Sequence, residues 1–128
     1  MEHDLAATSP PPIHYLLIEG RAVWEYASSY VAMPFLLDGP DGDGHPVVVI
    51  PGFIASGFST RPLRTYLHKK GYNSHCWKQG RNLGLSAQLE GQMLERIRSI
   101  HSRYDRKISL VGWSLGGVYS RWLANHAP

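Results

Sequence analysis

The chain has 128 residues, a 43% hydrophobic fraction and a formal charge of +3 with its seven histidines neutral. That length bounds it to one domain or part of one. Its Lys and Arg residues are scattered rather than gathered into a stripe with interleaved aromatics, which excludes a nucleic-acid interface. The single cysteine, Cys76, excludes an intrachain disulfide and a CxxC metal site. The N-terminus lacks the basic and unbroken apolar regions of a signal peptide. No apolar run approaches the ~20 residues of a spanning helix. The expectation is a cytoplasmic protein with no transmembrane segment.

In chain order, residues 1–12 read as a flexible tail ending in the stiff Pro10-Pro11-Pro12. Leu16, Leu17, Val23, Trp24, Ala27, Tyr30 and Val31 recur at three- and four-residue steps and predict an amphipathic helix that packs on the core. Pro34 is expected to stop it. Residues 38–46 form a turn-rich loop. Its Asp-Gly repeats have the composition of a calcium loop, but counting from Asp41, Pro46 stands where the sharp-turn glycine belongs and no glutamate closes it.

The remainder alternates. Val47-Val48-Val49-Ile50 predicts a strand buried on both faces. Residues 60–70 predict a helix capped by Ser59 or Thr60, with Pro62 in its first turn and Leu63, Tyr66 and Leu67 buried. Residues 72–77 predict a second strand. Residues 86–101 predict a helix capped by Ser86, with Leu89, Met93, Ile97 and Ile100 inward. Residues 108–111 predict a third strand and 115–126 a last helix. The order βαβαβα implies an α/β fold: a parallel sheet of three core strands with flanking helices, preceded by an N-terminal helix.

Residues 112–116 read Gly-Trp-Ser-Leu-Gly. A serine hydroxyl is a weak nucleophile that needs exposure, a base and donors aimed at the developing oxyanion. A sharp strand-to-helix turn at Ser114 would supply the exposure, with Gly112 and Gly116 where side chains would collide. By itself Gly-x-Ser-x-Gly is a weak signal; the strand before it and the helix after it make it a strong one. One oxyanion donor would be the Leu115 N–H. The other would be the Phe53 N–H, in the loop opened by Pro51 and Gly52 after the first strand.

Residues 47–53 and 112–117 together resemble the α/β-hydrolase superfamily, closest to its lipase/esterase-like members, from about residue 45 onward. The resemblance implies a central parallel sheet, Ser114 as nucleophile, Phe53 and Leu115 as oxyanion donors, and a small-molecule or lipid ester as substrate. Many lipases have His-Gly where this chain has Pro51-Gly52. The family's acid and catalytic histidine, which follow the nucleophile, have no counterpart here.

The chain's own histidines offer no substitute. His126 lies twelve residues along the same helix, ~18 Å from Ser114. His45 precedes the first strand and falls at the opposite sheet edge. His75 reads as a satisfied strand residue, and Asp105 as a turn residue. No metal or other cofactor is implied. Three strands would leave two long, apolar, unpaired edges, open to self-association. The expectation is therefore the N-terminal portion (residues 13–128) of one hydrolase domain, with little activity alone. An acyltransferase on the same fold stays open, as does a non-catalytic interaction module.

Overall fold

The computed structural model describes residues 14–127; the expected tail, residues 1–12, and the side chains of Leu16 and Leu17 lie outside the described residues. A run of β-branched residues has no polar face to offer water, so it takes the middle of the sheet. Strand β1 (Pro46–Ile50) is buried at every position. Strands β2 (Asn73–Cys76) and β3 (Ser109–Gly112) flank it in the order β2-β1-β3, both parallel to it. Val48 lies opposite His75 on one side and Leu110 on the other.

Helix α1 (His14–Leu36) precedes the sheet, α2 (Arg61–Lys69) joins β1 to β2, α3 (Ala87–Tyr104) joins β2 to β3, and α4 (Leu115–His126) follows β3. The crossover from β1 to β2 and the one from β2 to β3 run in opposite directions across the sheet, so right-handed connections put α2 and α3 on opposite faces. The core occupies the α3 and α4 side. There Val48 and Ile50 meet Met93, Ile97 and Ile100 of α3 and Tyr119 and Leu123 of α4. Each such side chain, fully buried, contributes about 1.5–3 kcal/mol. Val47 and Val49 alternate to the α2 face and are also buried.

Local signals hold α3 at both ends. The Ser86 hydroxyl accepts from the Leu89 N–H at 3.1 Å, and Asp105, at φ 48°, closes the helix in the left-handed conformation. Met93, Ile97 and Ile100 are buried, as their spacing predicts.

Three expectations need correction. Pro34 does not stop α1; it forfeits one backbone bond in the last turn and the helix runs on to Leu36. The apolar side of α1 does not join the core: Val23, Trp24, Val31, Phe35 and Leu36 are exposed and Met33 alone is buried among its described side chains. Its attachment is peripheral, with the Tyr26 ring stacked on Phe58 at 5.1 Å and the Tyr66 hydroxyl donating to the Leu36 carbonyl at 3.2 Å. Helix α2 buries no residue fully, Leu63 included, because it covers the edge strand β2 rather than β1. Thr60 stands at its N-cap, yet its hydroxyl caps no backbone N–H of the helix; it donates to the Gly57 carbonyl at 2.9 Å and accepts from the Arg64 side chain at 3.1 Å.

The edge strand β2 is also shorter and more polar than expected. β2 carries Asn73, Ser74, His75 and Cys76. Ser74 donates to the Arg64 carbonyl of α2 at 2.7 Å, and His75 meets the Tyr104 hydroxyl at 3.1 Å. Burial pushes the His75 imidazole below its ordinary range, helped by Arg96, Arg103 and Lys78.

Lys70 departs from the rule that lysines stay in water. Its side chain is only 4% exposed, and its ammonium bonds the carbonyls of Leu37, at 3.1 Å, and of Gly39, and Asp41 Oδ1 at 3.2 Å. It thereby ties the chain after α1 to the end of α2. Lys70→Met is expected to lower stability in urea denaturation by about 2–3 kcal/mol, because two carbonyls lose their charged donor. Asp41→Asn, which touches only the exposed partner, should cost less than about 1 kcal/mol.

Candidate active site

Parallel sheets open a crevice at the carboxyl ends of their strands where neighbouring crossovers diverge. Here that point lies between β1 and β3. Backbone strain gathers at the same end. Of the four non-glycine residues with positive φ among the described residues, Ile54, Lys78 and Ser114 each follow the carboxyl end of a strand. Ile54, a β-branched residue at φ 66°, and Ser114, at φ 52° and ψ −119°, flank the crevice itself. Such conformations persist only where the surroundings over-determine them.

At Ser114 the surroundings are backbone. A Cβ on Gly112 would overlap the Gly116 carbonyl and the Gly117 nitrogen across the turn. A Cβ on Gly116 would overlap the carbonyl oxygen of Ile50, and would lie 2.7 Å from that of Pro51, at the end of β1. The collision at Gly112 is the one the motif predicts; the one at Gly116 is with the neighbouring strand. The Trp113 N–H donates to the Ile50 carbonyl at 3.2 Å, and those of Gly116 and Gly117 donate to the carbonyls of Trp113 and Ser114 at 2.8 and 2.9 Å. The chain thus reverses in a few residues, and Ser114 is left exposed at the tip. Gly117 is less constrained: a Cβ there would come no closer than 3.4 Å to the Gly112 carbonyl.

The loop after β1 lies against this turn. A Cβ on Gly52 would sit 3.3 Å from the Trp113 carbonyl and 3.5 Å from Ser114 Cβ. Among the described residues, neither the Phe53 N–H nor the Leu115 N–H donates a hydrogen bond. Leu115 opens α4, where the first amides have no intrahelical acceptor and the helix dipole is positive. The crevice therefore offers an exposed hydroxyl and two uncommitted backbone donors.

Asn82 holds the loop in place. It is fully buried. Its side-chain amide donates to the Pro51 carbonyl at 2.9 Å. Its own N–H donates to the Ala55 carbonyl at 2.8 Å, and its carbonyl accepts from the strained Ile54 at 2.6 Å. The sequence shows Asn82 only as a polar residue in a turn-rich stretch, where asparagine is ordinary. Nothing local distinguishes a buried tether from a solvated one. Phe53 and Ile54 of the loop after β1 and Trp113 of the turn expose apolar surface.

Among the described residues no side chain bonds the Ser114 hydroxyl. His75 is engaged by Tyr104. His126 is engaged by the Trp122 carbonyl at 2.8 Å on its own helix, and His68 and His101 are exposed. His45 lies at the opposite end of the sheet, as its position before β1 predicts, with Asp43 and Ser109 for partners. Sequence reasoning missed that grouping; the Asp43-Gly44-His45 spacing was its one visible trace.

Comparison with protein-family models, curated proteins and solved structures finds no match to this chain.

The two glycines after Ser114 separate the constraint cleanly. Gly116→Ala is expected to destabilise the chain by about 2–3 kcal/mol, since its Cβ meets backbone that cannot yield. Gly117→Ala should be neutral or stabilising by up to about 1 kcal/mol through helix propensity. Equilibrium denaturation of the two variants checks both.

Proposed function

We propose that the crevice is the nucleophile and oxyanion half of a serine esterase of the lipase/esterase-like α/β-hydrolase type, acting on carboxylic esters. One observation carries this: a non-glycine residue at φ 52° and ψ −119° is a serine, exposed, between a parallel strand and a helix N-terminus. Strain at such a turn presents a hydroxyl that relaxed backbone would hide. Two uncommitted amides beside it suit a developing oxyanion.

In the proposed reaction Ser114 Oγ attacks the ester carbonyl carbon, and the Phe53 and Leu115 N–H groups hold the resulting oxyanion. The apolar side chains around the crevice favour an acyl chain over a charged substrate. A base must take the serine proton, and no described histidine is bonded to it. We therefore expect covalent capture of reactive probes but little ester turnover by the 128-residue chain. The lone thiol, Cys76, supports a cytoplasmic setting.

A fluorophosphonate probe tests the assignment. The expected result is an adduct on Ser114, located by fragment ions and absent in Ser114→Ala. Asn82→Ala should slow that labelling about tenfold or more, because the loop bearing the Phe53 donor loses its anchor. A labelled chain with no adduct on Ser114 would overturn the proposal.

A further inference from the structure

A second serine on β3 has what Ser114 lacks. At the amino-terminal end of the sheet, His45 Nδ1 lies 2.5 Å from Asp43 Oδ1, and His45 Nε2 lies 2.8 Å from Ser109 Oγ. The chemistry fixes the direction of both bonds. An ionised carboxylate only accepts, so Nδ1 carries the proton and donates to Asp43. In the neutral imidazole Nε2 is then unprotonated, and the Ser109 hydroxyl must donate to it. That tautomer is the one a general base requires.

The array is held from several sides. Arg106 donates to Asp43 Oδ2 at 2.9 Å and to the Asp43 carbonyl at 3.0 Å, which leaves Oδ1 for the histidine. The Tyr72 ring meets the His45 ring edge-on at 5.1 Å. Asn73 fixes the segment between, its side chain donating to the Gly44 carbonyl at 2.5 Å and its N–H to the His45 carbonyl at 3.1 Å. The side-chain hydrogen bond from His45 holds the Asp43 carboxyl down at about 2, with its backbone N–H adding to the effect. Asp43 is therefore ionised at neutral pH. Ser109 itself is exposed.

We propose that Asp43, His45 and Ser109 form a second reactive centre, in which Ser109 accepts acyl groups from small activated esters and thioesters. Ser109 Oγ attacks the carbonyl carbon while its proton passes to His45 Nε2. The tetrahedral adduct collapses, the carbonyl-to-leaving-group bond breaks, and the phenolate or thiolate departs with the bonding pair. The imidazolium returns its proton to solvent, leaving a Ser109 ester. Activated substrates are specified because Ser109 sits in ordinary strand geometry, outside the strained positions. The leaving group must then depart without the strained presentation that Ser114 enjoys.

The centre lies at the amino-terminal end of β3 and Ser114 beyond its carboxyl end, with the length of the strand, about 10 Å, between them, so the two can be read separately. Ser109 and Ser114 share the tryptic peptide 108–121, and fragment ions must place each adduct. With p-nitrophenyl acetate as the probe, we expect an acetyl group on Ser109 that survives Ser114→Ala. His45→Gln should slow Ser109 acetylation at least about 100-fold. Asp43→Asn, which keeps the side chain's shape but not its charge, should also slow it strongly through the wrong tautomer. Circular dichroism confirms that each variant is folded. Absence of acetyl-Ser109 in the unaltered chain, or acetylation unchanged by both substitutions in folded protein, overturns the proposal. Either result leaves the Ser114 assignment to its own test.

Discussion

Backbone of α4 touching backbone of β1 is the contact on which the rest of the structure depends. Four consecutive β-branched residues drive β1 to the centre of the sheet, which places the Ile50 and Pro51 carbonyls at the head of the crevice. The first turn of α4 starts against those carbonyls, with no room for a side chain at Gly116. Trp113 is bonded to one of them. The one residue between Trp113 and the helix has to absorb the change of direction, and Ser114 takes the strained conformation. Burial of Tyr119 and Leu123 below it offsets that strain. The exposure of the hydroxyl is thus a consequence of how tightly the core closes two residues away.

The second anchor comes from a different part of the chain. Asn82 lies in the connection between β2 and α3, yet its bonds run to Pro51, Ile54 and Ala55, in the loop after β1. A buried polar side chain is costly unless it is paired, and here the pairing shapes a loop that strand geometry alone would not define. Ile54 would not hold a positive φ unaided. The crevice is therefore built from all three strand ends, with the connection after β2 supplying the tether and not the chemistry.

Sequence reasoning succeeds where the determinants are local. The β-branched run, the Ser86 cap, the inward face of α3 and the glycine spacing around Ser114 are each settled within a few residues, and the structure shows each of them. It fails where a partner is distant. The apolar stripe of α1 has the period of a buried helix, but burial needs a surface to pack on, and the sheet's α3 and α4 face is already covered. Lys70 reads as a helix-end cation until the chain 37–41 folds over it. Asn82 and the Asp43–His45–Ser109 grouping become visible only when the sheet register is known. Val47 pairs with Ser109, and that register brings the residue before β1 within reach of the first residue of β3.

The two serines of this segment embody opposite halves of what nucleophilic catalysis requires. Ser114 has presentation: a strained turn, exposure and uncommitted amide donors, with no base bonded to it among the described residues. Ser109 has activation: a histidine held in the basic tautomer by a carboxylate, on unstrained strand backbone. Parallel topology explains why they separate. Loops at the carboxyl ends follow the strands and reverse sharply into helices, which favours strained presentation. The segments entering the amino-terminal ends approach along the strand axis, so side chains of adjacent strands meet in register without strain. Hydrogen bonding between side chains is easy to achieve at that end and backbone presentation at the other. A group that brings a base to Ser114 therefore has to reach the carboxyl end of the sheet from outside the β1–β3 pair, because the pair's own histidine is committed to the other pole.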